Sequence, residues 1–130
     1  MTKTYHVLRP AELRPTPTRY EEKVAEICAL HFRSDVMFVV RSGHTTPDLE
    51  VVRMKQFWEV KNIRGSSNHT VEDNLRKASK QSENVIISLL SSKMDTKRTE
   101  ARIRHILRTK RMPLKRVLLI TRTGIVIDIK

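Results

Sequence analysis

A carboxylate at Asp48, a second at Glu59 eleven residues on, and an ammonium at Lys61 are the residues whose types and spacing point first to chemistry. Asp48 closes the turn-like stretch Thr45-Thr46-Pro47-Asp48. Glu59 and Lys61 sit in Phe57-Trp58-Glu59-Val60-Lys61. In an extended strand over 56–62, Phe57, Glu59 and Lys61 point to one face and Trp58, Val60 and Asn62 to the other. A carboxylate and an ammonium then share a face, with room for a third group from Asp48. Burying such a pair costs several kcal/mol unless something compensates. Placing it beside a polar Gly-Ser-Ser-Asn-His loop predicts chemistry on a charged substrate.

Pro-Asp followed by Glu-x-Lys is also a pattern of metal-dependent nucleases, in which two carboxylates hold Mg²⁺ through hard oxygen ligands and the lysine orients or activates water. The plain alternative is a surface salt bridge on a hairpin. A second constellation follows in Ser66-Ser67-Asn68-His69-Thr70. Its hydroxyls, amide and imidazole lie just before an expected helix start, where free N–H groups and the helix dipole favour phosphate. Ser67, Asn68 and Thr70 are candidates for phosphate contact. His69 is a candidate acid or base near neutral pH, with His44 a second. Asn74, Lys77 and Gln81 lie at i, i+3 and i+7, one stripe of that helix, which is either a solvated face or one edge of a site.

Composition limits the partners. The chain has 130 residues, enough for one domain, and a formal net charge of +12. Such an excess favours a polyanion, with nucleic acid ahead of an anionic membrane or an acidic protein. Aromatic residues make up 5% of the chain, so extensive base stacking on single strands is not encoded, and shape and backbone recognition of folded RNA fits better. The basic run Lys97, Arg98, Arg102, Arg104, Arg108, Lys110 and Arg111 can follow a phosphate backbone or serve as a solvated face. The single cysteine, Cys28, excludes an internal disulfide and lies in an apolar helical stripe, as a core residue does. No apolar run reaches the roughly 20 residues needed to span a bilayer.

The elements that must position these groups are legible from periodicity. Residues 1–17, with Pro10, Pro15 and Pro17, read as an extended N-terminal arm or linker, and 18–130 as the functional domain. Thr18-Arg19-Tyr20-Glu21 fits a capping box, and apolar residues at helical spacing predict a helix over 19–32. Strands are expected at 36–40, from Asp48 to Arg53, at 56–62 and at 85–90. A second helix, capped by Thr70 and Asp73, is expected to run to about Ser82, and a third covers 95–110. Residues 117–121 and 125–129 close the chain as a hairpin around Arg122-Thr123-Gly124. The order α-β-β-β-α-β-α-β-β predicts an α+β domain with one twisted, mainly antiparallel sheet and helices packed against it.

Taken together, Pro47-Asp48, Trp58-Glu59-Val60-Lys61, Ser66 to Val71, Asn74-Leu75-Arg76-Lys77-Ala78, Lys80-Gln81-Ser82 and Val85-Ile86-Ile87 resemble the C-terminal tRNase domain of bacterial contact-dependent growth inhibition toxins. Related modules occur in other polymorphic toxins and phage-associated proteins. The resemblance covers roughly residues 20–130. It implies a nuclease of the barnase, EndoU, colicin and RelE-like type that cuts RNA, commonly tRNA, usually without metal. It also implies delivery from a producer cell or carrier protein, action in the cytoplasm of a target bacterium, and neutralisation by a cognate immunity protein, acidic to match this chain. Thr121 joins the candidate site on the resemblance alone.

The leading expectation is therefore a toxin ribonuclease working without cofactor by transesterification. Lys61 stabilises charge, His69 or Glu59 transfers protons, Asp48 orients Lys61, and Ser67, Asn68, Thr70, Asn74, Lys77, Gln81 and Thr121 bind substrate. The rivals are a Mg²⁺-dependent DNase using Asp48, Glu59 and Lys61, and a non-catalytic nucleic-acid-binding module.

Overall fold

The computed structural model describes residues 4–43, 46–65 and 68–130, without the side chain of Asn68. Ser66, Ser67, His44 and Thr45 lie outside the described residues. In chain order the elements are β1 (Val7–Leu8), α1 (Arg19–Phe32), β2 (Val36–Phe38), β3 (Leu49–Val51), β4 (Gln56–Asn62), α2 (Asn68–Ser79), β5 (Asn84–Ser88), α3 (Thr96–Thr109), β6 (Arg116–Ile120) and β7 (Val126–Asp128), with a 3₁₀ turn at Val52–Met54. The strands form one sheet in sequence order. β2, β3 and β4 make an antiparallel meander, and β6 and β7 close the far edge antiparallel. β4, β5 and β6 run parallel, because α2 and α3 carry the chain back between them. The expected single sheet with packed helices is thus what forms, and strand 56–62 appears with the expected bounds.

Local chemistry explains the boundaries. Thr18 caps α1 reciprocally: its side chain accepts from the Glu21 N–H, and the Glu21 carboxylate accepts from the Thr18 N–H. Asp95 caps α3 by accepting from the Arg98 N–H. The stretch expected to be an arm is extended but docked: Val7 and Leu8 pair parallel with Val36 and Met37, and Leu13 is buried. β3 stops at Val51 rather than Arg53. Arg53 is drawn to the end of α1, where its guanidinium donates to the carbonyls of Phe32 and Arg33, and the left-handed Lys55 (φ 53°) turns the chain into β4. α2 begins at Asn68, so Thr70 lies in its first turn rather than at its cap. It ends at Ser79, and the N–H groups of Lys80, Gln81 and Ser82 close it by donating to Lys77 and Ala78.

The sheet separates two cores. On one face α1 covers Trp58, Val60, Ile86, Leu118 and Ile120. On the other, α2 and α3 cover Ile63, Val85, Ile87, Val117 and Leu119. Cys28 is buried in the first core, as its helical stripe predicted. Among the described residues no helix is long and apolar enough to cross a membrane.

Candidate active site

β4 fixes the two central groups. Trp58 is fully buried under α1 and packs 5.3 Å from Phe32, with the Arg116 guanidinium 5.4 Å over its ring. A one-residue slip would move Trp58 out of this core and turn the Glu59 carboxylate into it, so the burial of Trp58 pins the register. The pleat then turns Glu59 and Lys61 to the opposite face, where their partners on β5 are Val85 and Ile87. Glu59 is 2% exposed. Lys61 Nζ lies 3.1 Å from Glu59 Oε2, and Oε1 of the same carboxylate is buried without a hydrogen-bond partner.

Asp48 completes the group. Its backbone N–H donates to the Trp58 carbonyl and its carbonyl accepts from the Val39 N–H, which holds it one step beyond the Leu49–Trp58 pair and across from Glu59. Its Oδ2 accepts from the Val60 N–H at 2.9 Å, and Arg41 stands 3.7 Å from Oδ1. The expectation that Asp48 orients Lys61 is therefore redirected: Lys61 is held by Glu59, and Asp48 by the strand backbone.

Burial, first, pushes the Glu59 carboxyl up to about 8, and the Asp48 charge beside it adds to the rise. Lys61 opposes that rise. Glu59, buried with one oxygen that nothing satisfies, and the half-buried Asp48 beside it form a site that either holds a proton or takes up a cation. Among the described residues no three His, Cys, Asp or Glu side chains gather as a metal site. Asp48 and Glu59 would hold a hard divalent ion only with further oxygens from backbone, water or substrate, and that donor chemistry fits Mg²⁺.

α2 lies over the same face. Its Glu72 bonds Arg76 and reaches Arg102 of α3 at 3.6 Å, so that edge of the helix faces α3. Thr70, Asn74 and Lys77 occupy the other edge, and Gln81 continues the line just past the helix end. α2 packs on β4 and β5 beside α3, so this edge lies on the side of the helix away from α3. Asn74 Nδ2 donates to the Thr70 carbonyl at 2.8 Å, Lys77 is exposed, and Gln81 lines a groove with Pro47 and Phe57.

Other candidates separate from this cluster. His69 is exposed in the first turn of α2, and among the described residues no hydrogen bond or ion pair joins it to Glu59 or Lys61. Ser67 and His44 are outside the described residues, as is the Asn68 side chain, although the Asn68 backbone belongs to α2. Thr121 is buried at the end of β6, where its hydroxyl accepts from the Ile125 N–H and meets Thr123 at 3.1 Å. It pins the β6–β7 turn, two strands away from Lys61. Two features escaped sequence reasoning: Arg41, placed beside Asp48 by the pairing of β2 with β3, and the groove at Phe57. Phe57 carried a signal, since it shares the strand face of Glu59.

A family model, the contact-dependent growth inhibition CdiA C-terminal domain, matches residues 45–126, a span that contains Asp48, Glu59, Lys61 and all of α2. Among solved structures the chain is similar to the CdiA-CT/CdiI toxin and immunity complex from Burkholderia pseudomallei, with a TM-score of 0.66 and 16% identity over 96% of this chain and 98% of that one. That likeness is one of fold. No curated protein matches the chain.

Proposed function

Because the chain belongs to the family of contact-dependent growth inhibition CdiA C-terminal domains, we propose that it is an antibacterial toxin that cleaves nucleic acid, with RNA, and tRNA in particular, as substrate. The observation that carries this reading is the buried Glu59, with Lys61 on one oxygen and no partner on the other, beside Asp48. The net charge of +12 supports a polyanionic substrate. The toxin is delivered from a producer cell and acts in the cytoplasm of the target bacterium. The fold neighbour is a complex of toxin and immunity protein, and an acidic immunity protein is the matching partner for this basic chain.

Asp48 and Glu59 would hold a divalent cation in this reading. The cation, when bound, supplies Lewis acidity and charge neutralisation at the phosphate. The chain's own groups do the rest. Lys61, held by Glu59, orients the attacking water and faces the developing negative charge. Water attacks phosphorus and gives up a proton to solvent, the P–O bond to the leaving nucleoside breaks, and the departing oxygen takes up a proton from solvent. The edge of α2 carrying Asn74, Lys77 and Gln81 positions the strand.

A second, metal-free reading is favoured by the raised Glu59 carboxyl, which at neutral pH keeps a proton to give. There the ribose 2′-OH attacks the adjacent phosphorus, the 5′-oxygen leaves with a proton, and a 2′,3′-cyclic phosphate remains. His69 serves as the base only if the first turn of α2 closes on the substrate. Incubation with total tRNA and with duplex DNA, each with and without EDTA, tests the function and separates the routes. Cleavage that stops in EDTA and leaves linear phosphate ends supports the cation reading. Full activity in EDTA with cyclic phosphate ends supports the other. No cleavage of either substrate contradicts both.

A further inference from the structure

An open groove of about 740 Å³ lies where β4, β5 and β6 begin, bounded by the end of α2. Two of its lining residues adjoin the carboxylate site along the chain. Pro47 in its wall is bonded to Asp48, and Phe57 in its floor precedes Glu59 by two residues on the same strand face. That step is about 6.6 Å along a strand. Phe57 is 45% exposed, whereas Phe32, Phe38 and Trp58 are buried. An aromatic ring left at the surface of a chain poor in aromatics invites a planar partner.

The ring stands on a fixed base. The Phe57 carbonyl accepts from Ser82 Oγ at 2.9 Å and from Asn84 Nδ2 at 3.0 Å, so β4 and the start of β5 hold it from below. A platform set before binding loses less entropy on docking. The surrounding charge is positive. Lys55, Lys80 and Lys115 line the groove, and the one carboxylate there, Glu83, is already paired with Lys115 at 3.3 Å. Among the described residues neither Lys55 nor Lys80 has an ion-pair partner. Gln81 adds an amide able to donate and accept.

We propose that this groove is the nucleotide subsite next to the scissile phosphate, with an unstacked base lying on Phe57, Lys55 and Lys80 on the flanking phosphate, and Gln81 at the base edge. The assignment rests on the nuclease reading and extends it. It makes the cut nucleotide's neighbour a splayed one, as in a loop or an unpaired end, rather than a base inside a duplex.

The test uses the full chain, Phe57→Ala and Phe57→Tyr. In EDTA, binding of a fluorescein-labelled single-stranded RNA hexamer with 2′-O-methyl riboses, which neither route can cut, is measured alongside hexamers with an abasic site at each position in turn. Phe57→Ala is expected to bind the intact hexamer about tenfold more weakly. One abasic position is expected to weaken the wild type equally and leave Phe57→Ala unchanged, and Phe57→Tyr to restore affinity. On tRNA, Phe57→Ala should raise KM with kcat nearly unchanged. Wild-type hexamer affinity in Phe57→Ala overturns the proposal. So does a variant that keeps hexamer affinity but no longer binds the immunity protein, which would make the groove a protein interface. A chain that binds the hexamer through Phe57 yet cuts nothing upholds the subsite and contradicts the nuclease reading.

Discussion

Lys61 Nζ stands 3.1 Å from one oxygen of the Glu59 carboxylate, and among the described residues nothing donates to the other. A single ammonium thus holds a group that burial and Asp48 both push toward its neutral form.

That imbalance gives a pH signature. The Glu59 carboxyl rises from its ordinary 4.5 to about 8 on folding. Between those values the folded chain keeps a proton that the unfolded chain has lost, so stability falls as pH rises through this window and the penalty is complete above it. Glu59→Gln removes this titration. Chemical denaturation from pH 4.5 to 8.5 should show a flatter slope for the variant, which gains on the wild type by a few kcal/mol at the alkaline end. Parallel curves for the two proteins would show that Glu59 titrates normally.

Mg²⁺ should reverse the penalty. A cation that binds only the folded chain stabilises it by about 2.7 kcal/mol at a hundred times its Kd. Thermal melts at pH 8 should move upward with Mg²⁺ concentration in the wild type and stay fixed in Glu59→Gln and Asp48→Asn. The shift should shrink at pH 6, where the proton competes with the ion. A Tm indifferent to Mg²⁺ at both pH values contradicts the cation reading and leaves the metal-free one standing.

Burial pushes the Cys28 thiol up to about 12. The thiolate is the reactive form, so the native chain should ignore a thiol-specific disulfide reagent at pH 8 and react stoichiometrically once unfolded. Rapid native labelling would mean that α1 opens from the sheet.

The Thr18–Glu21 box fixes where α1 starts. Thr18→Ala should cost about 1 kcal/mol in urea unfolding, with nuclease activity intact because α1 covers the face opposite Glu59. A loss of activity at unchanged stability would place α1 in the site.

Much of this was legible because single side chains carry strong signals. The alternation around Trp58 set the faces of β4, and with them the shared face of Glu59 and Lys61. Thr18 and Glu21 announced α1. The Pro-Asp turn and the Glu-x-Lys strand announced two carboxylates, but their convergence depends on Asp48 lying across from Glu59, a cross-strand relation that local periodicity does not encode. The start of α2 was misplaced because Thr70, an able capping residue, was outcompeted by a helix beginning two residues earlier. The docking of Val7 and Leu8 was hidden among prolines, since a two-residue edge strand has no period to read. Thr121 entered by resemblance, and its hydroxyl serves the β6–β7 turn. Phe57 passed as an ordinary strand residue because exposure is decided by what the helices leave uncovered.

The most direct test of the proposed chemistry is the rate of tRNA cleavage in Mg²⁺ by the wild type, Lys61→Ala and Glu59→Gln, with folding checked by thermal melts. The expected result is cleavage by the wild type and a loss of about a hundredfold or more in kcat for each variant, with both variants folded. Cleavage by Lys61→Ala at the wild-type rate would place the catalytic centre elsewhere in the chain.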